Sequence, residues 1–99
     1  MKSKAVGLID LPHMADAIAA LDIMLKTADV GFLSWERRLG GRLVTLMING
    51  DVAAVSESVQ TLRNHQSIKI VDSAVIANPH DETMRLIEIS RKNTFESEE

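Results

Sequence analysis

RLVTLMINGDVAAV, residues 42–55, holds one strand and the start of one helix with almost nothing between them. Leu43 to Ile48 is a short apolar run of residues that suit a buried, pleated strand. Asn49-Gly50 ends that run. Asp51 then offers a carboxylate to the free backbone N–H groups of a helix opening at Val52, so it is expected to cap that helix rather than to act as a general base.

Upstream of this junction, Leu39-Gly40-Gly41 is a turn signal, and Val30 to Arg37 (VGFLSWER) before it is a second strand. The two strands make a hairpin. Lys4 to Asp10 (KAVGLID) forms the first strand, where Gly7 permits a close backbone approach. Pro12 suits the first turn of a helix from His13 to Ala28, with Met14, Ile18, Leu21, Leu25 and Ala28 on one face. Ala15, Ala19, Asp22 and Lys26 line its other side, flat at one end and charged at the other, as a surface that a partner could meet closely.

Downstream, the second helix runs from Val52 to about Asn64. It buries Val52, Val55, Val59 and Leu62 and turns Ser56, Glu57, Gln60 and Arg63 outward. Ser67 to Ala77 is expected as a fourth strand, stopped by Asn78-Pro79, and a short helix or turn as His80 to Ile89. The order β-α-β-β-α-β with right-handed crossovers predicts an α+β, ferredoxin-like antiparallel sheet with both helices on one face and a short C-terminal helix. Leu43 to Ile48 and Val71 to Ala77 are so continuously apolar that burial on both faces is expected, under the short helix or a neighbouring subunit. Residues 1–92 are assigned to a single domain and residues 93–99 to an acidic, disordered tail.

Composition narrows the function classes. Ninety-nine residues with 45% apolar content suit one domain. A net charge of −3 and only three aromatic residues argue against nucleic-acid binding. The absence of cysteine excludes disulfides and thiolate chemistry and is compatible with a reducing cytoplasm. The first apolar stretch, broken by Asp10, Pro12, His13 and Asp16, makes a poor signal peptide, and no run approaches the roughly 20 apolar residues of a membrane span. A soluble protein is expected.

No catalytic constellation emerges. His13, His65 and His80 are far apart and lack metal-ligand spacing, so neither a metal nor a cofactor is expected. Gly40-Gly41 lacks the pattern of a phosphate-binding loop and suits a hairpin tip. Met14, Met24 and Met47 suit a core. Arg37, Arg38 and Arg42, flanking the two glycines in an acidic protein, are either a solvated hairpin end or, in a ring that turned the tip to its axis, the lining of a hole.

Several of these pieces, in order over most of residues 4–82, together resemble the single-domain bacterial microcompartment (BMC domain) shell proteins. Ala5 to Asp10 is similar to the family's opening Ala-x-Gly-hydrophobic-Ile-Glu strand, and Ala20 to Ala28 to its Ala-x-Asp-x-Met-x-Lys-x-Ala helix. Leu43 to Val55 is similar to its strand and Gly-Asp helix start, and Ile76 to His80 to its closing Ile-x-Arg-Pro-His. The resemblance implies a hexameric building block of a shell around a metabolic organelle, located within the cytoplasm, with a central pore for small polar or anionic metabolites. Catalysis is not implied. The implied partners are further copies of the chain, other shell proteins and encapsulated enzymes.

By the same resemblance, Arg38, Leu39, Gly40, Gly41 and Arg42 form the pore loop, and Lys26, Asp29, Asn78, Pro79 and His80 lie at the hexamer edge. The family's Lys-Ile-Gly-Ser-Gly has become Arg38-Leu39-Gly40-Gly41-Arg42, with one extra residue in or near the preceding strand. Asn78 stands where arginine is usual and Asp29 where asparagine is common, and Gly50 to His80 is about two residues short near His65-Gln66. The missing guanidinium is expected to weaken tiling of hexamers. The alternative is a soluble, oligomeric ferredoxin-like regulatory or ligand-binding module that belongs to no shell.

Overall fold

The computed structural model describes residues 4–79. Strand β1 (Lys4–Leu11) leads into helix α1 (Met14–Thr27), then β2 (Val30–Arg38), a 3₁₀ turn (Leu39–Gly41), β3 (Leu43–Asp51), helix α2 (Val52–Arg63) and β4 (Asp72–Ala77). The sheet order is β2-β3-β1-β4, and every neighbouring pair is antiparallel. This is the expected ferredoxin-like arrangement.

Alternation along the strands sorts the core. Ala5, Ile9 and Leu11 of β1 and Val44, Leu46 and Ile48 of β3 pack with Ala17, Ala20 and Met24 of α1 and Val55, Val59 and Leu62 of α2. Gly7 belongs to the same row of β1. A Cβ there would stand 2.9 Å from Ile48 Cγ1 and 3.0 Å from Val55 Cγ1, so its lack of a side chain lets α2 seat on the sheet. On the opposite face Val6, Leu33 and Met47 form a second buried cluster with Leu8 against it. The central strand is buried on both sides, as its unbroken apolar run requires.

Several expectations are corrected. β3 does not stop at Asn49-Gly50 but pairs through Asp51, which lies opposite Lys4. Asp51 does occupy the N-cap position with extended dihedrals, but its carboxylate makes no cap hydrogen bond. What it supplies to α2 is charge at the positive end of the helix dipole. The N-cap of α1 is His13, so Pro12 lies before the helix rather than in its first turn.

Helix α1 is rotated from the expected face. Ala17, Ala20 and Met24 are buried, whereas Ile18 is 62% and Leu25 46% exposed. Small side chains let a helix approach a sheet closely, so the alanine side seats and the bulky residues remain outside. Helix α2 buries Val55, Ser58, Val59 and Leu62, close to expectation, with Val52 only half-buried. β4 is limited to Asp72–Ala77, because the chain from Ser67 to Ile70 does not join the ladder. Ile68 is nonetheless buried in the core. β4 is an edge strand with exposed Val75, and Val71 before it is 62% exposed, so the expected two-sided burial does not extend to it within this protomer. The expected helix over His80 to Ile89 and the tail over 93–99 lie outside the described residues.

Candidate functional site

The β2–β3 hairpin presents the arginines. The last ladder pair is Arg38 with Leu43, so Leu39 to Arg42 are the tip proper. Leu39 (φ 53°) and Gly40 (φ 65°, ψ 30°) both take left-handed backbone, and Arg42 N–H donates to the Leu39 carbonyl at 3.3 Å to close the turn. Arg38 and Arg42 are exposed, and Leu39 is 73% exposed. Arg38 Nη2 lies 3.7 Å from Glu36 Oε2, with both side chains well solvated, a contact worth little to stability. Arg42 has no ion-pair partner among the described residues.

The register of this tip depends on an irregularity six residues earlier. Phe32 pairs with Ile48 and Ser34 with Met47, so Leu33 is the extra residue of a β-bulge. The bulge resets the alternation. Phe32 and Trp35, three residues apart, both pack against the helix-side core with ring centroids 5.3 Å apart, while Leu33 enters the opposite cluster. Beyond the bulge the pairs Trp35–Leu46, Glu36–Thr45, Arg37–Val44 and Arg38–Leu43 run without further shift. The bulge therefore lies before the tip, and Arg42 remains in the loop.

The candidate edge residues gather at the other end of the sheet. Val30, Asp51, Lys4 and Ala77 are the strand ends there, by the register of all three strand pairs. Asp29 precedes Val30, and its carbonyl would be 3.1 Å from a Cβ on Gly50. Asn78 N–H donates to the Lys4 carbonyl at 2.7 Å, with Pro79 next in the chain. Lys26, in the last turn of α1, reaches back to Asp22 at 2.8 Å. Asn78 has φ 50°, a conformation that asparagine tolerates and arginine does not favour. His80 lies outside the described residues. The strands between the two groups are nine residues long, so the arginine tip and the edge set are separated by about 25 Å at ~3.3 Å per residue.

Residues 5–79 match the BMC domain family. The chain belongs to the BMC-domain family. Among its BMC-domain relatives, the microcompartment shell protein PduA of Citrobacter freundii is 32% identical over 91 residues, covering 88% of this chain and 95% of the relative. The carboxysome shell protein CcmK1 of Synechocystis sp. is 31% identical over 83 residues, covering 80% and 74%. Among solved structures, a microcompartment protein from Desulfitobacterium hafniense DCB superposes with a TM-score of 0.70 at 30% identity, covering 88% of this chain and 48% of that one. This BMC-domain chain is therefore a shell protein of the microcompartment and carboxysome kind.

Residue patterns did not reveal three features of this BMC domain. The bulge at Leu33 had no signal, because no periodicity places a bulge. The buried Thr45 hydroxyl donates to Asp10 Oδ1 at 2.6 Å across β1 and β3, a pairing visible only once the register is known. The left-handed backbone at Leu39 had no signal at all, because leucine is not a residue that announces it. Among the described residues no cluster of histidine and carboxylate side chains could hold a metal.

Proposed function

We propose that this shell protein assembles as a cyclic homohexamer in which six β2–β3 tips surround the axis and form a basic passage for small anionic metabolites. The observation that supports this most is the opposition of the two residue sets. Arg38 and Arg42 stand at one end of the sheet and Lys26, Asp29 and Asn78 at the other, as a wedge-shaped protomer with an axial and a peripheral end requires. A head-to-tail interface repeated around six-fold symmetry closes the ring.

The ring has an electrostatic consequence. Six copies each of Arg38 and Arg42 would raise the local concentration of anions and oppose cations, and the solvation of the tip makes that effect salt-dependent. Glu36 beside Arg38 tempers the repulsion among like charges. The role is structural and selective, without catalysis, and other shell proteins and encapsulated enzymes are its partners in the shell. The domain extends over 1–92, with 93–99 as its acidic tail.

Light scattering tests the assembly, with six subunits expected. Calorimetry at low salt tests the passage: sulfate binds the wild type, and Arg42→Ala weakens that binding at least tenfold. A monodisperse monomer at high micromolar concentration, or unchanged sulfate binding in the variant, rejects the reading.

A further inference from the structure

Leu39 is a costly residue for its place. Its φ of 53° lies in the left-handed region, where a side chain branched beyond Cβ is rare and asparagine or glycine is cheaper. At 73% exposure, core packing does not account for leucine there, and the neighbouring Gly40 has open space where a Cβ would stand, so the tip is not crowded. The tip thus combines strain with an apolar side chain held in water. Such outliers collect at functional sites, where the surroundings in the working assembly give the residue its use.

Leu39 also has a definite setting, directly after Arg38 and three residues before the turn-closing Arg42. We infer that Leu39 forms an apolar collar beside the arginine ring, and that the passage therefore prefers short-chain carboxylates, anions with a small hydrocarbon body, over inorganic anions and over carboxylates with less hydrocarbon. This inference rests on the axial placement of the tips proposed above. Charge is read by the guanidiniums and the hydrocarbon by the leucines, since methylene groups leave water favourably against an apolar wall. A strongly hydrated anion gains nothing from the collar.

The test is calorimetry at low salt on the assembled protein, with sulfate, acetate and butyrate as the ligands, for the wild type, Leu39→Asn and Arg42→Ala. Asparagine keeps the left-handed turn while removing the apolar surface. Wild type is expected to bind butyrate about tenfold more tightly than acetate, as partial burial of two further methylenes implies. Leu39→Asn should erase that ratio, leave acetate and sulfate binding within about twofold, and melt no lower than wild type. Arg42→Ala should weaken all three.

A hexamer with Arg42-dependent acetate binding but no butyrate preference overturns the collar and leaves the basic passage standing. The same butyrate preference in Leu39→Asn also overturns it. If Leu39→Asn melts lower and loses all three anions alike, Leu39 is a structural residue and the collar falls. A monomer, or anion binding indifferent to Arg42, removes the axial placement itself and the collar with it.

Discussion

Thr45 is almost fully buried, and its hydroxyl gives the Asp10 carboxylate a short hydrogen bond of 2.6 Å between the two central strands. Thr45→Val keeps the shape and removes the donor, so the half-buried carboxylate loses a partner and the protein should lose about 1–2 kcal/mol in urea denaturation. An unchanged midpoint would mean that water replaces the hydroxyl at no cost. Ser58 is the opposite case: it is fully buried on α2 and its hydroxyl has no hydrogen-bond partner among the described residues. Ser58→Ala should stabilise by about 1 kcal/mol, read as a raised melting temperature. Gly7→Ala should destabilise by about 1–3 kcal/mol, because the new methyl would press on Ile48 and Val55 where α2 meets the sheet.

Strand β2 behaves as two short strands joined by the bulge at Leu33, and each half keeps its own correct register against β3. Deleting Leu33 would leave Phe32 opposite Ile48 and Ser34 opposite Met47 in an ordinary ladder, with the tip unmoved. The deletion variant should fold, lose no more than the roughly 2–5 kcal/mol typical of emptying a buried leucine site, and retain sulfate binding. Deleting Glu36 instead shifts Trp35 to the wrong face and should unfold the hairpin. Comparable melting of the two variants would mean that the bulge does not make Leu33 a cheaper place than Glu36 to lose a residue. Helix α1 shows a similar division of labour, with small alanines seated on the sheet and Ile18 and Leu25 outside, seven residues apart on the exposed side.

In the whole molecule, the arginine tip and the Lys26, Asp29 and Asn78 group lie at opposite ends of the sheet, so in the proposed ring the inner passage and the outer contacts would vary independently. Lys26 is engaged by Asp22, and Asn78 has no forked donor to offer across the proposed edge. If the chain assembles as the proposed hexamer, it is therefore expected alone not to form extended sheets by electron microscopy, and Asn78→Arg should promote them. The left-handed backbone at this position should make that variant melt lower, by about 1–2 kcal/mol of strain. Sheets formed by the unaltered protein would show that the edge does not need the guanidinium.

The order of the elements, the two-faced central strand and the Gly50-Asp51 handover to α2 were legible in the chain, because a period of 2 or 3.6 and a turn signal are local properties. The arginines of the tip were equally visible, since charge beside two glycines needs no fold to be noticed. What faces what was not legible. The seating of α1 on Ala17 and Ala20 rather than Ile18 and Leu25 follows from how closely a helix can approach this sheet, and the short β4 from where β1 offers partners. The bulge at Leu33, the Thr45–Asp10 bond and the left-handed Leu39 arise from register and closure, which depend on strands distant in sequence and so are decided only by the tertiary structure.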